Sequence, residues 1–145
     1  MYKHLLIPTD GSDVSMKGVE QGLALAKALG ARATIVTVSE PWVTIATGEM
    51  GLAFPPDDYA RSAAANADDT LAKARKLAEA AGVACETLYI KEQYPAEAIV
   101  AAAADNNCDL IVMASHGRRG IGRLLLGSQA HRVVTESKIA VLICR

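Results

Sequence analysis

Leu110-Ile111-Val112-Met113-Ala114-Ser115-His116-Gly117-Arg118-Arg119-Gly120-Ile121-Gly122-Arg123 joins an apolar run to a loop of glycines and arginines. Leu110–Ala114 has no polar residue, the pattern of a strand covered on both faces inside a parallel sheet. Working outward, Lys3–Ile7, Ala33–Val38, Ala84–Ile90 and Ile139–Cys144 read as four further strands, and all but Ala84–Ile90 are near-continuously apolar. Helical stretches lie between them. Ser15–Leu29 ends at Gly30 and Asp57–Ala81 ends at Gly82, and glycine suits the left-handed residue that closes a helix. Pro95–Asp105 opens on a proline, whose missing N–H costs nothing in a first turn. Ser128–Ser137 follows Gly127. The order β-α-β-α-β-α-β-α-β predicts an α/β domain, a parallel sheet with helices on both faces, and right-handed crossovers restrict its topology.

Length and composition narrow the classes. With 145 residues, 51% hydrophobic, the chain is expected to form one domain spanning 1–145 with a packed core. Fifteen basic and sixteen acidic side chains leave a net charge of −1, which argues against nucleic acid held by bulk charge. Aromatic residues make up 4%, too few for base-stacking platforms. The opening apolar run is too short for a signal peptide, and no run of 18 apolar residues suggests a membrane span. Cys85, Cys108 and Cys144 form no CxxC pair and no zinc spacing with the three histidines. Reduced thiols in a cytoplasmic protein are the expectation.

Glu40–Pro56 breaks the alternation. It holds Pro41, Gly48, Gly51, Pro55 and Pro56, shows no sustained period, and contains Trp42 and Phe54, the single tryptophan and single phenylalanine. A connection of this length either tucks its aromatics beneath itself or closes over a ligand or partner.

In an open parallel sheet, ligands bind beyond the C-terminal strand ends, where the strand order reverses. After the first strand come Pro8-Thr9-Asp10-Gly11-Ser12, and after the second Val38-Ser39-Glu40. The loop after the fourth is the most informative. From Leu110 to Thr135 there are four arginines, two histidines and no acidic residue, in a chain that is otherwise balanced. Glycines free the backbone to turn N–H groups toward an anion, and the start of the last helix adds unpaired N–H groups and a positive dipole end. That combination suits a polyphosphate. Neither G-x-x-x-x-G-K-[ST] nor G-x-G-x-x-G after the first strand is present.

Ala114-Ser115-His116-Gly117, nine residues, then Gly127-Ser128 resembles the ATP-binding signature of the universal stress protein family, G-x2-G-x9-G-[ST]. Lys3–Ser12 looks like that family's opening strand and turn, Leu110–Arg118 like its fourth strand, and the likeness extends over the whole chain. The resemblance implies a three-layer sandwich around a five-stranded parallel sheet of order 3-2-1-4-5, of the adenine-nucleotide alpha-hydrolase-like kind. It also implies a homodimer, and Ile139–Cys144 would supply the edge, since a terminal sheet edge needs covering.

Carried over residue by residue, Pro8, Thr9 and Asp10 would line the adenosine end, and Val38 would meet adenine through its backbone. Met113 and Ala114 would flank the nucleoside. His116, Gly117, Arg118, Arg119 and Gly120, with Gly127, Ser128, Gln129 and Ala130, would surround the phosphates. The ligand implied is ATP, with AMP or ADP as alternatives, together with Mg2+ or Mn2+ near Asp10. One position departs from the signature: Ala114 replaces its first glycine, placing a methyl group where the ribose would lie.

Several residues carry a second reading. Asp10 can cap its own turn, Ser128 can cap the last helix, and His116 can serve the loop's turn rather than a phosphate. His4, inside an apolar strand, reads as a structural histidine, and His131 and Arg132 as surface residues. No nucleophile–base pair and no Walker-type acid is readable, so any ATP turnover would be slow. The readings that compete are a nucleotide-binding regulatory dimer, a slow or autophosphorylating ATPase, and a nucleotide-independent interaction protein.

Overall fold

The computed structural model describes residues 1–47, 55–117 and 126–145. Five strands, β1 (His4–Pro8), β2 (Arg32–Val38), β3 (Cys85–Ile90), β4 (Leu110–Ala114) and β5 (Ala140–Cys144), pair in parallel in the order β3-β2-β1-β4-β5. The helices are α1 (Asp13–Leu29), α2 (Trp42–Ala46), α3 (Pro56–Ala81), α4 (Pro95–Asp105) and α5 (Ser128–Glu136). Sheet order, direction and helix order follow the sequence expectation.

Two apolar layers explain why the central strands read as unbroken hydrophobic runs. Leu5 and Ile7 of β1 join Val19 and Leu23 of α1, Ile35 of β2 and Leu71 of α3 on one face. Leu6, between them, points to the other face with Val36, Ile99 and Ile111, where Val133 of α5 closes the layer. Alternation puts successive side chains into opposite layers, and both layers are built of buried apolar residues. The edge strands differ. β5 alternates, with Ala140 exposed and Leu142 44% exposed, although its sequence reads like an interior strand. It lacks a helix over part of one face.

Helix ends obey local chemistry. α1 starts two residues before the expected Ser15 because Ser12 caps it, accepting the Ser15 N–H at 3.3 Å. Gly30 (φ 65°) and Gly82 (φ 72°) close α1 and α3 in the left-handed conformation, and the next N–H, of Ala31 or Val83, reaches back to Ala26 or Ala78. Within the expected loop Glu40–Pro56, Trp42–Ala46 forms a single short helix, with Trp42 half-buried. Phe54 lies outside the described residues.

All three cysteines are free, Cys108 and Cys144 buried and Cys85 half-buried. Burial pushes the Cys108 thiol up to about 11, with Asp109 adding to the effect. His4 is buried and its Nε2 lies 2.8 Å from Thr34 Oγ1, the structural role expected of it. Burial, then the nearby Arg32, lowers its pKa, so the ring is neutral in the fold. An unfolded chain takes up this proton below about pH 6.5. The stability His4 confers is therefore complete above that value and lost as pH falls through the lowered folded value. Thermal melts over this range are expected to show a steeper acid loss for the wild type than for His4→Gln; equal slopes would refute it.

Candidate functional site

β1 and β4 are paired only at Leu5–Leu110 and Leu6–Ile111, whereas β1 and β2 pair over five residues. Beyond Leu6 the two central strands separate. Consecutive crossovers leave on opposite faces at this place: α1 packs over β1 and β4 on one face, and α5 lies on the other. A cavity of about 660 Å³ lies there, walled by the β1 and β4 ends, by Val36–Glu40 at and just past the end of β2, by α3, and by the starts of α4 and α5. This is the size of a small-molecule or cofactor site.

The β1 turn is held by its own hydroxyls. Asp10 Oδ1 accepts from the Ser12 N–H at 2.9 Å and the Ser15 hydroxyl at 2.8 Å. Thr9 Oγ1 lies 2.8 Å from Ser15 Oγ and accepts the Gly11 N–H at 3.1 Å. Asp10 thus caps its turn with one oxygen, while Oδ2 faces Gly117: a Cβ built at Gly117 would stand 2.5 Å from it. Gly11 has φ 83°, and a Cβ there would stand 2.6 Å from Thr70 Oγ1, so the turn also presses against α3.

At the end of β2 the backbone itself is the functional group. Val36 accepts the Thr9 N–H, and Ser39 donates to the Ile90 carbonyl and accepts from Gln93. Peptide groups alternate sides along a parallel strand, so Val38 directs its N–H and C=O toward β1. There β1 has already turned away, leaving a donor and an acceptor side by side on the cavity wall without a partner among the described residues.

On the opposite side, α5 begins with Gly127 as its cap (φ −65°, ψ 159°), and no side chain caps it. Ser128 is the first helical residue, not the expected cap, because Gly127 already holds the extended cap conformation. The first-turn N–H groups of Ser128, Gln129 and Ala130 therefore face the cavity end with the helix dipole behind them. Gly127 must be small: a Cβ there would stand 2.9 Å from the Ser115 carbonyl, which accepts the Gly127 N–H at 2.7 Å. The Gln129 side chain turns away from solvent and accepts the Ala96 N–H at 3.1 Å, tying the start of α5 to that of α4.

Pro8, Thr9, Asp10, Val38, Met113, Ala114, His116, Gly117, Gly127, Ser128, Gln129 and Ala130 all line this one cavity. Arg118, Arg119 and Gly120 lie outside the described residues. His116 has Nδ1 3.0 Å from Ser115 Oγ, and its Nε2 is buried without a hydrogen bond among the described residues. Ala114 packs toward α1, where a Cβ at Gly18 would stand 3.3 Å from the Ala114 methyl and 3.1 Å from its N–H nitrogen. A glycine on α1 makes room for the extra methyl. Arg132 belongs to a different network, with its guanidinium 3.0 Å from Glu97 and 3.4 Å from Glu136.

Sequence reasoning missed the α3 wall: Tyr59, Ser62, Ala63, Asn66, Ala67 and Thr70. Their i, i+4 spacing was readable, but small and polar residues at that spacing look like a solvated helix face.

A doubly wound α/β domain with a cavity at its switch point, backbone groups on one side and an uncapped helix start on the other, defines the class of molecule. The profile of the universal stress protein family matches residues 1–145, and the chain belongs to that family. It is 35% identical over 145 residues to a universal stress protein of Thermus aquaticus, covering 100% of both chains. Against the universal stress protein MJ0531 of Methanocaldococcus jannaschii it is 34% identical, covering 100% of this chain and 83% of the relative. The crystal structure of a universal stress protein in complex with cAMP superposes with a TM-score of 0.73 at 28% identity, over 99% of this chain and 97% of the other.

Proposed function

We propose that this protein is a cytoplasmic, nucleotide-dependent regulatory dimer that binds an adenine nucleotide in the switch-point cavity, ATP first, with ADP or AMP in the same place. One observation carries the reading: the Val38 peptide edge, the Asp10 carboxylate and the uncapped α5 start all face a single cavity of about 660 Å³. Their chemistries match the parts of a nucleotide in order. The Val38 carbonyl would accept from the adenine exocyclic N–H and its N–H would donate to the ring nitrogen beside it. Asp10 Oδ2 would take ribose hydroxyls. Gly117 and the α5 N–H groups would receive phosphate oxygens, as an anion at a helix N-terminus requires. A relative bound to cAMP supports the ligand class.

Among the described residues no group of three or more His, Cys, Asp or Glu could hold a metal ion. The residues fit a Mg2+ or Mn2+ carried on the phosphates, with Asp10 Oδ2 beside it, better than a cation held by the protein alone. Such an ion would neutralise phosphate charge. The exposed face of β5, Ala140 and Leu142 above all, is the surface assigned to a second copy.

Isothermal titration with ATP·Mg2+, on protein whose mass is read by light scattering, is expected to give one site per chain on a dimer. Mass spectrometry of gently purified protein should also detect an adenine nucleotide. No heat at millimolar ATP and no co-purifying nucleotide would reject the reading in favour of a nucleotide-independent protein.

A further inference from the structure

The α3 wall carries a polar stripe that neither the helix nor the core uses. Ser62, Asn66 and Thr70 recur at every fourth residue and line the cavity, and none of the three side chains hydrogen-bonds to a described residue. Two contacts fix where along the crevice this stripe lies. At one end Thr70 Oγ1 sits against Gly11, beside Asp10. At the other end the Tyr59 hydroxyl donates to the Glu40 carbonyl, two residues beyond Val38. At about 1.5 Å of rise per residue, Asn66 stands about 6 Å from Thr70 and about 10 Å from Tyr59 along the helix. It lies between the ribose end and the chain beyond β2, on the cavity that the Val38 peptide edge also lines.

Asn66 is also the carboxamide on this wall that is not already spent. Gln129, the other one lining the cavity, gives its Oε1 to the Ala96 N–H. A carboxamide offers a donor pair and an acceptor in one plane, the complement of adenine's N7 acceptor and N6 donor. Guanine offers two acceptors there, N7 and O6, so one contact becomes a repulsion. The exocyclic amine of adenine has two hydrogens, enough for the Val38 carbonyl and for Asn66 together.

We infer that Asn66 is the base-discriminating residue of the cavity, reading the N6/N7 edge of adenine from α3 while Val38 reads the adjoining N1/N6 edge. This rests on the proposed adenine-nucleotide function and assigns its selectivity to a residue outside the glycine signature. Asn66 is exposed on a helix, and alanine is the best helix former, so Asn66→Ala keeps the fold; its melting curve checks this.

The test titrates the full chain with ATP, GTP and tripolyphosphate. Wild type is expected to prefer ATP. Asn66→Ala should weaken ATP about tenfold and shrink the ATP-over-GTP preference by a similar factor. Tripolyphosphate, which has no base, should bind both proteins equally. A wild type that binds ATP, with a preference unchanged in Asn66→Ala, overturns the inference and leaves the nucleotide reading standing. Equal losses for ATP and tripolyphosphate overturn it too, because the effect would then not be on the base. A wild type that binds no nucleotide overturns both.

Discussion

Gly117→Asp is expected to weaken ATP binding by a thousandfold or more while the protein still folds. The new Cβ would stand 2.5 Å from Asp10 Oδ2, closer than real Cβ atoms approach. Asp10 is poorly placed to retreat, because its other oxygen is held by the Ser12 N–H and the Ser15 hydroxyl. The substituted side chain also brings a second carboxylate to the place assigned to phosphate. Two like charges about 4 Å apart at an effective dielectric near 20 repel by about 4 kcal/mol, which converts to about a thousandfold in affinity. Gly117 is exposed and lies three residues past the end of β4, so the sheet does not depend on it. Gly117→Ala separates the two contributions, since it keeps the crowding and omits the charge, and about a tenfold loss is expected of it. Calorimetric titration beside a thermal melt reads both. Wild-type affinity in Gly117→Asp would show that phosphate does not approach this turn.

The largest stability effect is expected at Ile7. It is 0% exposed, on the central strand, in the layer beneath α1 and α3. Replacing Ile by Ala in such a place costs about 2–5 kcal/mol, a large share of a typical domain stability of 5–15 kcal/mol. Its neighbour sharpens the test. Gly22 lies on the buried face of α1, and a Cβ there would stand 2.7 Å from Ile7 Cδ1. In the wild type, Gly22→Ala gains helix propensity of about 1 kcal/mol but must displace that methyl, at a comparable or larger cost. With Ile7→Ala the obstruction is gone and the added methyl fills part of the void. The pair should therefore be coupled by about 1 kcal/mol or more, the double variant being more stable than the sum of singles implies. Denaturant unfolding of the four proteins measures this. Additivity would mean that α1 and β1 relax independently at this contact.

The parts legible in the sequence are those where one physical cause dominates. β1 and β4 are buried on both faces, so their residues are apolar without alternation, and their place at the centre follows from that. Gly30 and Gly82 announce helix ends because few other residues tolerate positive φ. The cavity's glycines and Asp10 were legible for a similar reason: their backbone and turn requirements leave a local trace. Other features depend on what packs against what. β5 reads like an interior strand because its composition is apolar throughout, whereas its place at the sheet edge leaves Leu142 partly exposed. Ser128 looks like the helix cap, yet Gly127 occupies the cap position in extended conformation and, having no side chain, leaves the first-turn N–H groups uncapped. Asn66 leaves no trace of its own; only the register of α3 against the sheet brings it to the cavity. The short helix Trp42–Ala46 is too brief to show a period.

The two-residue pairing between β1 and β4 has a mechanical consequence. It divides the sheet into two leaves, β1, β2 and β3 against β4 and β5, with α3 packed on the first, α5 on the second and α1 lying across both. The groups assigned to the nucleoside sit mostly on the first leaf, and those assigned to the phosphates on the second. A nucleotide lying across the gap would act as a strut between leaves that the backbone joins by few rungs. Gln129, bolted to the start of α4, would carry the load from α5 into the neighbouring helix. In such a molecule occupancy of the cavity is felt as stiffness at the β5 edge, with no part having to swing open or shut.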